Sequence, residues 1–252
     1  MIVIKQEHEL EAMRVAARKT ATILRAVADR VEPGVTTQEL DAYAAELAKE
    51  AGGRCAFYGY HGFSGHICAS VNEEVVHGVP GKRVIQEGDI VSIDFGLVVD
   101  GFVGDTAVTV AAGAIPPAWQ TLLDVTKQSL AAAIEQAVEG NRLGDISHAV
   151  QRTAEAAGFS IVRDFVGHGI GREMHEDPQI PNFGPPGKGP VLKAGMTFAI
   201  EPMVNMGVHQ TEILADGWTV VTKDRLPSAH FEHTVAVGVE QAEVLTVADE
   251  GV

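Results

Sequence analysis

Basic side chains are scarce in this sequence. Nineteen lysines and arginines stand against 34 aspartates and glutamates, which gives a formal net charge of -15. This balance argues against a general binder of nucleic acids or anionic membranes, because either would need a basic face. Cysteine is also rare, and Cys55 and Cys68 have no zinc-type spacing, so we expect a reducing compartment.

Long apolar runs and targeting signals are absent as well. No charge-free stretch is long enough to cross a membrane, and "MIVIKQEHELEAM" lacks the basic segment and apolar run of a signal peptide. We therefore expect a cytoplasmic protein. With 46% apolar and 21% charged residues, the composition is that of an ordinary globular protein. We expect a single catalytic domain over 1–252, with repeated halves of about 1–110 and 111–252.

The segment "IVSIDFGLVVDGFVGDTAVTV" places acidic residues inside apolar strands. Asp100-Gly101 between β-branched runs predicts a two-residue hairpin turn. In the register that this turn sets, Asp94 and Asp105 project from one face, with Cβ atoms roughly 7 Å apart. Two desolvated carboxylates need a proton, an ion pair or a metal ion. A solvated sheet face with two surface acids explains this segment equally well.

An internal repeat extends the pattern. "PGKRVIQEGDIVSID" resembles "PGKGPVLKAGMTFAIE", so that Asp94 matches Glu201 at a distance of 107 positions. Each half also begins with helical patterns; the apolar stripe from Leu10 to Val31 predicts a first helix ended by Pro33-Gly34, and Thr36 or Thr37 can cap the next. We predict an α+β fold with duplicated halves, in which a curved antiparallel sheet is covered by four helices.

Four carboxylates then point into one cavity. Glu201 follows from the repeat, and Glu232 follows from the alternation of "AHFEHTVAV". The four strand segments contain no lysine or arginine, so two divalent ions, with a charge of +4, are the better compensation. A nitrogen ligand is expected in the segment that contains "GHGIG", at His168, although a buried histidine of the core is a competing interpretation.

These residues together resemble the type I methionine aminopeptidases. The five acidic and imidazole positions occur in order with "VNEEVVHGVP", "GHGIGR" and "FEHT", and the resemblance covers essentially the whole chain. It implies the pita-bread fold, in which two αβ halves are duplicated. It also implies removal of the initiator methionine from nascent proteins when the second residue is small.

The resemblance implies a role for each site residue. Asp105, His168 and Glu201 would hold one divalent ion, Asp94 would hold a second, and Asp105 and Glu232 would bridge them; cobalt, manganese, iron, zinc and nickel are the candidate metals. Glu201 would also act as the general base, and His175 and His77 would contact the scissile carbonyl and the second residue. The positions implied for the methionine pocket are Phe57, Tyr60, Phe63, Cys68, Met174 and Trp218.

The same resemblance implies the partners and the alternatives. Nascent polypeptide N-termini are the expected partners, with the ribosome as a candidate place of action, and we expect a monomer that binds no nucleic acid or membrane directly. Another pita-bread aminopeptidase, of the X-Pro type, is one alternative; such enzymes carry a separate N-terminal domain, for which 252 residues leave no room. The other is a non-catalytic binding module, which the intact set of five ligands disfavours.

Overall fold

Four α-helices and fifteen strands occur within residues 1–248, the part of the chain that the computed structural model describes. The helices are α1 (Glu7–Ala28), α2 (Thr37–Glu50), α3 (Pro117–Ile134) and α4 (Leu143–Ala156). The strands are β1 (Arg54–Cys55), β2 (Cys68–Val71), β3 (Glu74–Val76), β4 (Ile90–Val99), β5 (Phe102–Ala111), β6 (Ser160–Ile161), β7 (Gly167–Gly169), β8 (Glu176–Ile180), β9 (Thr197–Ile200), β10 (Met203–Asn205), β11 (Thr211–Ile213), β12 (Val220–Thr222), β13 (Ser228–His230), β14 (Glu232–Ala236) and β15 (Glu243–Val244).

The main sheet joins strands from both ends of the chain. Its order is β1-β4-β5-β14-β9-β7-β8, with β2 paired to β4 and β15 paired to β14, and the pairs are antiparallel. Two three-stranded sheets, β13-β10-β6 and β11-β12-β3, complete the β structure of the described residues. As a result, β4 and β5 from the first half lie beside β14 and β9 from the second.

The predicted hairpin is confirmed in its register. Asp94 is opposite Ala107, Asp105 is opposite Gly96, and both strands are ten residues long. Asp100 and Gly101 both have positive φ, 49° and 79°, as a type I′ turn requires. Because side chains alternate along a strand, this register places both carboxylates on the same face of the sheet.

The two halves repeat local details as well as elements. Thr36 and Glu39 form a capping box at the start of α2. At the start of α4, 106 positions later, the Arg142 main-chain N–H donates to the Asp145 carboxylate as that of Thr36 does to Glu39. Each cap residue also forms an isolated antiparallel bridge, Thr36 with Val84 and Arg142 with Val191. The repeated segment that the sequence reveals therefore docks in the same way onto the helix cap of each half.

The first helix ends earlier than predicted. It stops at Ala28, with Asp29 as its C-cap, five residues before Pro33-Gly34, and Val31 lies outside it. The Asp29 N–H bonds back to the carbonyls of Arg25 and Val27, which closes the helix before the proline is reached. Val31 still packs, partly buried, against the core.

Two apolar clusters follow the two halves of the chain. The first packs α1 and α2 against β4 and β5, with Phe95 and Leu97 fully buried. The second packs α3 and α4 against the strands of the second half, with Phe198 fully buried. The single domain predicted over 1–252 remains a prediction; its last four residues lie outside the described range. No described helix is long and apolar enough to cross a bilayer.

Replacing Thr36 with alanine should destabilise the fold. The Thr36 hydroxyl accepts from the Glu39 N–H at 3.2 Å, and the Thr36 N–H donates to the Glu39 carboxylate at 2.8 Å. Loss of such a cap costs about 1 kcal/mol in the free energy of unfolding, measurable as a lower urea midpoint. Thr121→Ala, which removes an exposed hydroxyl bonded only along its own helix, is the matched control. Equal midpoints for the two variants would contradict the role of the cap.

Candidate metal centre

One cavity of about 260 Å³ brings the predicted site residues together. It lies on the face of the main sheet to which Asp94 and Asp105 project, and both halves of the chain contribute to its wall. The sequence singles out thirteen residues for the site, and all except Met174 line this cavity. The twelve are Phe57, Tyr60, Phe63, Cys68, His77, Asp94, Asp105, His168, His175, Glu201, Trp218 and Glu232. His61 lines it as well.

The carboxylates in this cavity lack ordinary partners. Asp105 and Glu232 are buried, and Asp94 and Glu201 are partly buried. Oδ1 of Asp94, Oδ1 of Asp105 and Oε1 of Glu232 are buried and accept no hydrogen bond within the described chain. Within residues 1–248, the basic side chains that lie within 4 Å of these acids are two histidines, His168 and His230.

Burial sets the protonation of this group when no ion is bound. It raises the pKa of Asp94 to about 7. It raises the pKa values of Asp105, Glu201 and Glu232 well above their usual range, and the negative charges of the neighbouring acids raise them further. The free carboxylates would therefore hold protons at neutral pH, and a cation is needed to keep all four ionised.

The strand that carries His168 packs closely against the main chains of both neighbouring strands. A Cβ on Gly167 would stand 2.4 Å from the carbonyl oxygen of Ala199, and one on Gly169 would stand 2.1 Å from that of Asp177. Because neither position has room for a side chain, β7 can pair closely with both β8 and β9. The two glycines thus deliver an imidazole to the centre of the acidic cavity.

The His168 ring is oriented for ligation. Its Nδ1 lies 2.9 Å from the carbonyl oxygen of Gly169, so Nδ1–H donates there and the lone pair remains on Nε2. Nε2 lies 3.4 Å from Oε1 of Glu201 and 3.7 Å from Oδ2 of Asp105. Burial lowers the pKa of His168 to about 3, which keeps the ring neutral as a metal ligand requires.

These donors fit a divalent cation. One ligand atom from each of Asp105, His168 and Glu232 lies within 4.8 Å of the other two. The unpartnered oxygen of Asp94 and the Glu201 oxygen beside His168 line the same cavity. A set of carboxylate oxygens with one imidazole suits manganese, iron, cobalt or zinc.

His175 stands at the rim of the cavity with its orientation fixed. Its Nδ1 lies 2.6 Å from the hydroxyl of Tyr60, and its ring lies 4.3 Å from that of His168. When the Tyr60 O–H donates to Nδ1, the proton of His175 is on Nε2. The ring then offers a hydrogen-bond donor to a ligand carbonyl beside the carboxylates.

His77 also lines the cavity. It has a positive φ of 58°, which is uncommon for a residue other than glycine. Its ring meets Phe165 and Trp218 edge to face, at centroid distances of 5.4 Å and 6.5 Å. Phe63 also packs against Trp218 at 5.1 Å, so His77 borders an aromatic wall.

Met174 lies beside the cavity, and its part in the methionine pocket remains a prediction. It is buried in the first apolar cluster and is not among the residues that line the cavity. A Cβ on Gly96 would stand 2.6 Å from its terminal methyl carbon and 3.1 Å from Phe57, so Gly96 leaves room for both side chains. Because Gly96 and Asp94 project from the same face of β4, Met174 meets Phe57 on the cavity side of that strand.

Sequence reasoning missed three residues near the centre. His61 lines the cavity, Phe165 packs on His77, and His230 lies 4.0 Å from Glu201. For His230 a signal was present: continuing the strand alternation from Glu232 back by two positions places it on the same face. His61 lies in a single 3₁₀ turn, Tyr60–Gly62, and Phe165 lies outside the helices and strands, so no periodicity indicates the direction of either side chain.

Comparison with known proteins agrees with this geometry. The model of metallopeptidase family M24 matches residues 11–238. Methionine aminopeptidase 1 of Bacillus subtilis is 49% identical over 246 residues, which are 98% of this chain and 99% of that protein. The crystal structure of a methionine aminopeptidase from Thermotoga maritima superposes with a TM-score of 0.96 at 48% identity, covering 98% of this chain and 99% of that one.

A more distant structure shares the fold. Prolidase from Pyrococcus furiosus has a TM-score of 0.80 at 22% identity, and the match covers 98% of this chain and 66% of that one. The pita-bread fold, with duplicated halves and a helix-covered antiparallel sheet, is thereby confirmed.

Ion-free protein should lose stability as the pH rises from 7 to 8.5. The unfolded chain ionises its carboxyls near pH 4, whereas the folded acids, with raised pKa values, still hold protons at pH 7. Folding therefore binds protons, and each such group lowers the free energy of unfolding by up to about 1.4 kcal/mol per pH unit. The buried histidines are neutral in both states over this range and oppose the trend little.

Thermal melting of chelator-treated protein measures this effect. Added MnCl2 should raise the melting temperature, and the gain should be larger at pH 8.5 than at pH 7, since ions displace protons from the acids. In Asp105→Asn, the melting temperature should fall less as the pH rises, and added manganese should raise it less. A melting temperature of the ion-free protein that increases between pH 7 and 8.5 would contradict this account.

Proposed function

The chain belongs to metallopeptidase family M24, and we propose that it removes the N-terminal methionine from polypeptides whose second residue is small. The observation that carries this proposal is a small cavity lined both by aromatic side chains and by four carboxylates with an imidazole. The 49% identity to methionine aminopeptidase 1 of Bacillus subtilis over nearly the whole of both chains supports it.

The ion ligands are assigned as follows. Asp105, His168 and Glu201 would hold one divalent ion, Asp94 would hold a second, and Asp105 and Glu232 would contact both. Charge supports the number two, because four carboxylates balance two divalent ions. The three unpartnered carboxylate oxygens of this set, on Asp94, Asp105 and Glu232, support the shared contacts. Cobalt, manganese, iron, zinc and nickel remain the candidates.

When bound, the ions would act as Lewis acids that lower the pKa of a water molecule and accept the lone pair of the neutral substrate α-amine. Glu201, which lines the cavity and comes nearer to His168 than Asp105 does, is the group that accepts the proton from that water and returns it to the departing amine. His175, held by Tyr60, donates from Nε2 to the scissile carbonyl and stabilises the negative charge that develops there.

The apolar wall receives the methionine side chain. Phe57, Tyr60, Phe63, Cys68 and Trp218 line it, and Met174 packs beside Phe57 on the same face of β4. At about 260 Å³ the cavity lies below the roughly 300–1,000 Å³ of sites for drug-sized ligands. Its size therefore suits one side chain and its terminal amine.

The side chain of the second residue lies next to His77. This wall is stiff, because Phe165 and Trp218 pack on the imidazole from two directions. A small second residue fits, whereas a large one meets the ring. We assign to this enzyme the N-termini of nascent chains as substrates, the cytoplasm as its location and a monomer as its active form.

Two histidine variants separate ion binding from carbonyl binding. His168→Ala should lower both bound metal and turnover. His175→Ala should keep its metal and lose about 10²–10³ in kcat, the usual effect of removing one oxyanion donor. Metal analysis and steady-state kinetics of both variants give the answer. If His175→Ala emptied the site as fully as His168→Ala, the division of roles would be wrong.

Peptide selectivity tests the proposed function itself. Met-Ala-Ser should be cleaved at least about 10²-fold faster than Met-Lys-Ser in kcat/KM, because a steric cost of 1.4 kcal/mol is already tenfold. Comparable rates for both peptides would indicate a broader aminopeptidase, and cleavage of X-Pro peptides instead would indicate the prolidase type.

A further inference from the structure

His230 is a buried histidine that the mechanism above does not use. Only 1% of its surface is exposed, and its Nε2 accepts or donates no hydrogen bond within residues 1–248. A buried polar nitrogen without a partner is costly in a folded protein. The fold therefore bears the energetic cost of a buried imidazole nitrogen without a partner. We look for a hydrogen-bond partner for this nitrogen within the site.

The nearest acidic group to this nitrogen is the proposed general base. Nε2 of His230 lies 4.0 Å from Oε2 of Glu201. The other oxygen of that carboxylate, Oε1, faces His168 at 3.4 Å. Glu201 is thus placed between two imidazoles, one on the side of the ion ligands and one on the opposite side.

The separation indicates a direct contact after a small movement. A hydrogen bond needs about 3 Å between nitrogen and oxygen, so the gap is about 1 Å too long. A bridging water, with two legs of about 2.8 Å, would hold the atoms about 4.5 Å apart, so the gap is too short for one. A modest rotation of the Glu201 side chain closes the distance.

The histidine itself is held in place. Its main-chain N–H donates to the hydroxyl of Thr109 at 2.8 Å, and that hydroxyl donates to the main-chain carbonyl of His230 at 2.8 Å. Ser92 bonds to the same Thr109 hydroxyl at 2.8 Å, so this oxygen is fully occupied. The main chain of Glu201 is likewise fixed, because its carbonyl accepts from Asn182 at 2.9 Å. The movable group is the Glu201 carboxylate.

We propose that His230 is a positioning residue for Glu201, in which Nε2–H donates a hydrogen bond to Oε2 and holds Oε1 towards His168 and the bound ion. This inference rests on the proposed function only for the role of Glu201 in proton transfer. The ring acts as a neutral donor and does not touch the substrate. A hydrogen bond from His230 reduces the freedom of a carboxylate that must serve both as ligand and as base.

The test compares two substitutions of equal length. His230→Gln keeps an N–H donor near the position of Nε2, whereas His230→Met fills similar space without one. His148→Met, on helix α4, is the control for the loss of a partly buried imidazole elsewhere. For each protein, calorimetric titration of the ion-free form with MnCl2 gives the ion affinity, kinetics on Met-Ala-Ser give kcat and KM, and thermal melting reports folding.

The proposal predicts a specific split. His230→Met should bind manganese about 10-fold more weakly and lose about 10–100-fold in kcat at saturating manganese, with KM within about 2-fold. His230→Gln and His148→Met should stay within about 3-fold of the unmodified protein in each quantity. Should His230→Met fail to fold, His230→Asn, whose shorter amide falls short of Glu201, takes its place.

Two outcomes would overturn the proposal. Unchanged affinity and kcat in His230→Met would mean that the contact is not made. Equal losses in the Gln and Met variants would mean that the imidazole acts as an ion ligand or as packing, not as a donor. If the unmodified protein fails to cleave Met-Ala-Ser, the proposed function fails, but the manganese affinities of the variants still decide the role of His230.

Discussion

The rest of the structure depends on one constraint, which is the gathering of four carboxylates in one cavity. Histidines lie within 4 Å of these acids in the described chain, and no lysine or arginine does. Burial raises their pKa values, so that without cations they would be neutralised by protons. The fold tolerates them because they are spread over strands from both halves, and because unpartnered oxygens of Asp94, Asp105 and Glu232 face one space. The site is therefore built to be completed by divalent ions.

The architecture follows from that requirement. An antiparallel sheet lets β4, β5, β14 and β9 lie side by side, so that residues far apart in sequence share one face. Helices cover the opposite face with two apolar clusters, which supply the stability that a polar cavity cannot. Close backbone packing at Gly167 and Gly169 then admits an imidazole to the cavity. Rigid elements thus position each donor before any ion or substrate arrives.

Regular parts of the fold and site could be predicted from the sequence. The Asp100-Gly101 turn and the period of two gave the β4–β5 register, and the repeat led to Glu201, because both depend on local patterns. The end of α1 at Ala28 was missed, since backbone capping by Asp29 closes the helix before the proline. Met174 packs beside Phe57 next to the cavity, and His61 lines the cavity from a single 3₁₀ turn, Tyr60–Gly62. Such placements depend on tertiary packing, which no local pattern encodes.

The central claim is that two divalent ions hold this carboxylate cluster together, with Asp105 and Glu232 between them. Anomalous diffraction from crystals soaked in MnCl2, recorded on either side of the manganese absorption edge, tests it most directly. The account predicts two peaks in the cavity, about 3.5–4 Å apart as in other two-metal sites, with Asp105 and Glu232 in contact with both, Asp94 with one, and His168 and Glu201 with the other. A single peak, or none among these five residues, would contradict it.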